Sequence, residues 1–179
     1  MLSPGQPAIS IRTLGIFQIT CDGLPVPATA WRSPQGPELL KILITQRGPV
    51  LRKQLIALLW PETDPAVAGN QLSALLFTVR QLLHPPGSAE PLGSDGSEVW
   101  LDRAGVVVDV DQFLTLAAAA LRAHRSNQHN ATALLYAAAA AYTGDFVPDD
   151  APHDWAIALA DEVKITHIAV LQALATHPH

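Results

Sequence analysis

The chain has 179 residues, 49% of them hydrophobic and 15% charged, with a formal net charge of −5 at pH 7. That balance suits one good core or two small ones and excludes a disordered chain. No uncharged apolar run is long enough for a membrane helix, no basic segment followed by an apolar stretch marks a secretion signal, and the lone Cys21 excludes an intramolecular disulfide and suits a reducing cytoplasm.

The first segment alternates, with Ile9 and Ile11 and then Phe17, Ile19 and Cys21 spaced by two, which predicts half-buried strands. The phase changes at Leu14-Gly15, where a glycine predicts a bulge or a break. Asp22-Gly23 signals a hairpin turn, and Leu24-Pro25-Val26 returns as a short edge strand. A helix follows over Trp31 to Arg47, opened by Pro34 and Pro37, with Leu39, Leu40, Leu43 and Ile44 inward, and Gly48-Pro49 ends it. A second helix runs from about Leu51 to Leu59, with Leu55, Leu58 and Leu59 inward, and stops at Trp60-Pro61. Asp64 caps a third, with Pro65 at its first position, an inward stripe of Leu72, Leu75, Leu76, Val79, Leu82 and Leu83, and a stop at His84-Pro85-Pro86-Gly87.

Residues Leu92 to Val110 read as β, with Val99-Trp100-Leu101 and Val106-Val107-Val108 flanking the turn Asp102-Arg103-Ala104-Gly105. A small sheet, three helices and a hairpin in that order predict a winged helix-turn-helix over residues 1–109. Residues 110–179 read as all helix. Asp111 caps Gln112 to Arg125, Asn130 caps Ala131 to Tyr142, and a last helix runs from about His153 to Ala175. Gly144 breaks the second of these, and Val147-Pro148 leads toward the third. Helices this rich in alanine pack closely in antiparallel hairpins of the tetratricopeptide type, and three of them leave an open end. The expected fold is thus α+β, a winged helix with small antiparallel sheets followed by an all-α helical-hairpin repeat, and the array is expected to continue in a longer protein.

Several strings carry a resemblance. They are Leu14-Gly15-Ile16-Phe17, Asp22-Gly23 with Val26-Pro27, Trp31-Arg32-Ser33, Leu55-Ile56 with Leu58-Leu59-Trp60-Pro61, Asn70-Gln71-Leu72, and Val79-Arg80-Gln81-Leu82-Leu83. Val108-Asp109-Val110-Asp111-Gln112-Phe113 follows at the domain junction, then Tyr142-Thr143-Gly144-Asp145-Phe146 and Trp155. In this order the chain resembles the bacterial transcriptional activators of the antibiotic-regulatory-protein (SARP) type, which join an OmpR-like winged helix to a bacterial transcriptional activator domain (BTAD). The resemblance implies promoter binding by the winged helix, contact with RNA polymerase, and dimer or partner contacts through the helical domain. Members usually carry basic residues after the Trp31-Arg32-Ser33 string, where this chain has Pro34-Gln35-Gly36-Pro37. Their outward third-helix positions are often basic too, and here they read Gly69, Ser73, Phe77 and Thr78. The turn expected at the wing tip, Asp95-Gly96-Ser97-Glu98, is acidic.

Opposite its leucine stripe the third helix carries Asn70, Ser73, Phe77, Arg80 and Gln81. Asn70, Ser73 and Gln81 suit base edges, Arg80 suits phosphate or guanine, and Phe77 suits a thymine methyl or a protein interface. Arg47, Arg52 and Lys53 surround the Gly48-Pro49 turn, with Arg32 and Lys41 upstream, and suit phosphate anchoring. These residues are the expected DNA-binding set. Against it stands the charge: eight Lys/Arg oppose nine Asp/Glu up to Asp109, and three oppose seven from Val110 on. Neither half has the basic excess common in nucleic-acid-binding domains. Trp31, Trp60, Trp100 and Trp155 fall at element boundaries and read as core closure, as do Tyr142 and Phe146 around Gly144. The seven histidines form no compact set with Cys21, so no metal is expected, nor a cofactor. No phosphate-binding glycine loop or acid pair at catalytic spacing appears, so no catalytic residue is assigned and the chain reads as not an enzyme. Two functions stand: a cytoplasmic transcriptional regulator fragment that binds DNA, or a protein-interaction module whose winged helix has lost its DNA face.

Overall fold

The computed structural model describes residues 8–84, 90–147 and 153–176. The chain begins with strands β1 (Ile9–Arg12), β2 (Gln18–Cys21) and β3 (Leu24–Pro25). Asp22 and Gly23 both take positive φ, 49° and 80°, in a tight turn that pairs Cys21 with Leu24 and Thr20 with Pro25. Left-handed backbone at both positions suits the right-handed twist of the strands. Pro25 sits at the sheet edge, where its missing N–H costs no ladder bond.

Helices α1 (Gln35–Gln46), α2 (Arg52–Leu59) and α3 (Pro65–Leu83) follow, with the two-residue strand β4 (Val50–Leu51) before α2. Helix α1 starts four residues later than its sequence suggests. Trp31 closes a short 3-10 turn over Ala28–Ala30, and Pro34 is the helix N-cap. The Ser33 hydroxyl accepts from the Gln35 amide at 3.3 Å, so the chain is already turning before the helix begins. Leu39, Leu40, Leu43 and Ile44 are buried as their spacing predicts, together with Ile42. Asp64 caps α3 by accepting from the Ala66 amide, with Pro65 at the first position. The core face of α3 holds Leu72, Leu75, Leu76, Val79 and Leu83, while Leu82 is half-buried. The stop at His84-Pro85-Pro86-Gly87 runs past His84 outside the described residues, as does the link at Pro148.

Strands β5 (Leu92–Ser94) and β6 (Glu98–Leu101) form an antiparallel hairpin, and β4 pairs with the other side of β6 through Val50 and Val99. Strand β7 (Val106–Val108) takes the place beside β1, so the two sheets run β3-β2-β1-β7 and β4-β6-β5. The strings 99–101 and 106–108 therefore do not pair across Asp102–Gly105. Both edges of β6 are already taken, by β4 and β5, so β7 joins the other sheet. Trp100 also lies inside a strand rather than at an element boundary.

Three helices complete the chain: α4 (Asp109–Arg125), α5 (Ala131–Ala141) and α6 (Asp154–Thr176). Helix α4 begins two residues before the expected cap Asp111, which lies in its first turn. Asn130 holds the N-cap position of α5 but makes no side-chain cap bond. The buried positions of α4 are Val110, Phe113, Ala117, Ala120 and Ala123, spaced by three or four; α5 contributes Ala131, Leu135 and Ala138. Side chains this small let the helices approach closely, and α4 packs on both α5 and α6.

The chain divides into two compact units, Met1–Ser10 with Ile19–Val106, and Ile11–Gln18 with Val107–His179. The division is discontinuous, whereas a split at residue 109 would leave residues 11–18 on the N-terminal side. Their place in the second unit follows from their partners. The Asp109 carboxylate accepts from the Thr13 amide and hydroxyl, both at 2.7 Å, and from the Leu14 amide at 3.0 Å. Leu14 bridges Phe146 in antiparallel fashion, and the Val147 amide donates to the Thr13 carbonyl at 2.7 Å. Gly15 (φ 80°) and Gly144 (φ 150°) allow the close crossing. A Cβ on Gly144 would stand 2.6 Å from the Gly15 Cα.

Candidate nucleic-acid interface

The outward side of α3 follows from its inward stripe. With leucine and valine at 72, 75, 76, 79 and 83 buried, helical geometry turns 67, 70, 73, 77 and 81 away from the core. Asn70, Ser73 and Gln81 are exposed, and Phe77 is 63% exposed with Val67 at 51% on the same side. Four of the five expected α3 residues therefore share one face.

Arg80 has a different environment. Its Nε donates to the Leu92 carbonyl at 3.1 Å, its Nη2 donates to the Ser94 hydroxyl, and Nε stands 3.0 Å from the Glu90 carboxylate. The lone cation of α3 thus ties the helix to the first strand of the β5–β6 hairpin. Glu90 and Ser94 are the partners that no sequence pattern identifies. They follow Arg80 by 10 and 14 residues, beyond any local helix or turn spacing.

Arg52 opens α2, where its amide donates to the Ser97 carbonyl and its Nη2 donates to the Ser73 hydroxyl, both at 2.8 Å. One residue thereby joins α2, the outward face of α3 and the hairpin turn. Leu51 precedes it as an N-cap with no side-chain cap bond, so the Lys53 and Gln54 amides receive no capping oxygen from that residue, while the Arg52 amide is taken by Ser97. Such amides, beside Arg52 and the exposed Lys53, favour an anion. Arg47 is exposed at the end of α1, in a left-handed conformation with φ 54°. The turn of the hairpin is fixed by Asp95, whose carboxylate accepts from the Ser97 and Glu98 amides and the Ser97 hydroxyl. These bonds from the Ser97 backbone, the Glu98 backbone and the Ser97 side chain hold the Asp95 carboxyl below the usual carboxylate range. The turn thus keeps a negative charge, which disfavours a phosphate beside it.

Among the described residues no group of three or more His, Cys, Asp or Glu side chains is placed to hold a metal ion; His177 and His179 lie outside them. Burial, and then the charge of Asp22, push the Cys21 thiol up, away from the reactive thiolate. No helix among the described residues is long and apolar enough to cross a membrane.

The fold has a known counterpart. Over 95% of its length the chain superposes on Mycobacterium tuberculosis EmbR, recorded in complex with a low-affinity phosphopeptide, with a TM-score of 0.78 and 22% sequence identity. The fold is that of EmbR. The chain spans 45% of the EmbR chain. No protein-family model and no curated protein matches the sequence.

Proposed function

We propose that the chain is a DNA-binding transcriptional regulator, with helices α1–α3 and the β5–β6 hairpin acting as a winged helix and α4–α6 as a BTAD-like, tetratricopeptide-type helical repeat for dimer or partner contacts, RNA polymerase among them. The observation that carries it is the outward face of α3, where Asn70, Ser73, Phe77 and Gln81 stand together and Ser73 is bonded to Arg52 at the start of α2. In this proposal α3 enters the major groove, Asn70 and Gln81 meet base edges, and Phe77 meets a thymine methyl. Phosphate is held by Arg47, Arg52, Lys53 and the Lys53 and Gln54 amides in the first turn of α2. Arg80 has a positioning role instead, because its guanidinium is committed to the hairpin and Glu90. The likeness of the fold to EmbR supports the regulatory role.

The test is a fluorescence-anisotropy titration against random-sequence duplex DNA at several salt concentrations. Binding that weakens steeply with salt is expected, and replacing both Arg52 and Lys53 by Gln reduces the slope of log K against log salt by about 2. Absence of binding at low salt overturns the proposal.

A second reading rests on Phe77 and Val67, two exposed apolar side chains on a face whose nearest cation on the same helix is tied elsewhere. As a protein-interaction module the chain would dock a partner or a second copy there, and a peptide partner as in EmbR belongs to the same class. Phe77→Glu would then abolish self-association or partner capture while salt-sensitive DNA affinity is absent from the start. Unchanged association in that variant removes this reading.

A further inference from the structure

Beside the outward face of α3 lies a pocket of about 420 Å³ that the DNA-binding reading does not use. Its volume falls within the range of small-molecule sites, roughly 300–1,000 Å³. Helix α3 supplies one side through Gln71, Ala74 and Thr78, and the buried Leu75 and Val79 reach its inner wall. The indoles of Trp31 and Trp60 contribute aromatic surface from two other elements, the end of the 3-10 turn and the end of α2. Arg32, Ser33 and Gln35 supply the polar rim at the start of α1.

The wall is built rather than incidental. Gly36 is buried, and a Cβ there would meet the Trp31 ring at 2.5 Å, so the indole lies directly on the α1 backbone. That packing fixes the ring plane without a bound ligand. Both indoles are half-buried, which leaves part of each aromatic surface open to a guest. The charge is also one-sided: Arg32 is a cation, and no lining residue is acidic, in a chain whose net charge is −5. A planar guanidinium at the rim of an aromatic pocket matches a carboxylate carried on a flat ring.

We propose that this pocket binds a small aromatic carboxylate, with its ring against Trp31 and Trp60 and its carboxylate on the Arg32 guanidinium. The proposal is independent of what the outward face of α3 contacts. A ligand seated there would nevertheless lie one residue away from Asn70, Ser73 and Phe77, since Gln71, Ala74 and Thr78 are their immediate neighbours in sequence.

The four tryptophans make the test direct. The intact chain, labelled with nitrogen-15 at the indoles, is titrated with 2-naphthoate, and the Nε1–H resonances are assigned by single Trp→Phe variants. Saturable shifts confined to Trp31 and Trp60, with Trp100 and Trp155 unmoved, are expected. Ala74→Trp should fill the pocket and abolish those shifts; Ala74 is exposed, and the Trp100 and Trp155 resonances report whether the fold is kept. Arg32→Gln should weaken 2-naphthoate by about tenfold and leave neutral 2-naphthamide unchanged. The proposal is overturned if Trp31 and Trp60 stay unmoved at millimolar probe, if all four indoles shift alike, or if folded Ala74→Trp binds as the parent does. An equal loss of acid and amide in Arg32→Gln overturns the carboxylate assignment.

Discussion

Arg80 contacts a carbonyl, a hydroxyl and a carboxylate that all belong to one stretch, Glu90 to Ser94, so its removal acts on the hairpin before it acts on any ligand. Arg80→Ala should lower stability by about 1–3 kcal/mol, read from the urea midpoint, through the lost charged bonds. At temperatures where the variant is folded, the salt slope of DNA binding should match the parent. A slope reduced by a full unit would show Arg80 on a phosphate instead. At Gly15, where φ is 80° and a Cβ would stand 2.8 Å from the Thr143 carbonyl oxygen, Gly15→Ala should cost about 1–3 kcal/mol. Thermal unfolding at unchanged midpoint would contradict that crossing.

Tyr142 stacks on His167 with ring centroids 3.7 Å apart, and its hydroxyl donates to the Asp145 carboxylate at 2.7 Å. Burial first, then this hydrogen bond and the carboxylate charge, push its pKa from the ordinary 10.0 up to about 12. The folded chain keeps a proton that the unfolded chain releases sooner. Its contribution to stability is therefore complete below pH 10 and is lost as pH rises toward 12. Phenolate absorbance should show a step near pH 12 that Tyr142→Phe removes; a Tyr142→Phe profile identical to the parent would exclude this environment.

At the scale of elements, α4 shows how one side chain can reassign a helix start. Asp109 opens α4, and its carboxylate meets the amides of Thr13, Leu14 and Val110 and the Thr13 hydroxyl. Thr13 is fully buried, so its amide and hydroxyl depend on this partner. In Asp109→Asn one carboxylate oxygen becomes a donor that confronts the Thr13 or the Leu14 amide. The expected cost is about 2–3 kcal/mol, checked by urea unfolding, and it should exceed that of Asp111→Asn in the same turn, whose carboxylate does not hold the buried Thr13. An equal effect at the two positions would return the helix start to Asp111. The leucine stripe, the Asp64 cap and the Pro65 start of α3 were legible in the sequence because each is a local rule of spacing or backbone geometry. The pairing of β7 beside β1 was not, since it depends on which edges of β6 the neighbouring strands have occupied.

At the scale of the whole molecule, the acidic balance of the chain sets what the proposed DNA binding would have to look like. With Arg80 committed to the hairpin, the outward α3 residues are uncharged, and in the proposed DNA contact phosphate would fall to Arg47, Arg52, Lys53 and the Lys53 and Gln54 amides of α2. Affinity for random duplex should accordingly be modest and fall away well below physiological salt, and the Arg52→Gln, Lys53→Gln double variant should remove most of the remaining slope. Tight binding that persists at 0.5 M salt would mean that other groups carry the contact.

The sequence by itself determined the order of sheet, three helices, hairpin and alanine-rich helices. Period-two and period-3.6 patterns, Asp and Pro at helix starts and Asp22-Gly23 at the turn act over a few residues and need no tertiary partner. It also brought Asn70, Ser73, Phe77 and Gln81 onto one face, because the buried stripe fixes the opposite side of a helix. Tertiary structure alone decided that Arg80 faces Glu90 and Ser94, that Arg52 reaches Ser73, and that Trp31 lies on Gly36 to wall a pocket. These contacts span from 5 to 21 residues across turns and packed faces, and a guanidinium on a long flexible stem takes whichever acceptor the folded backbone brings nearest.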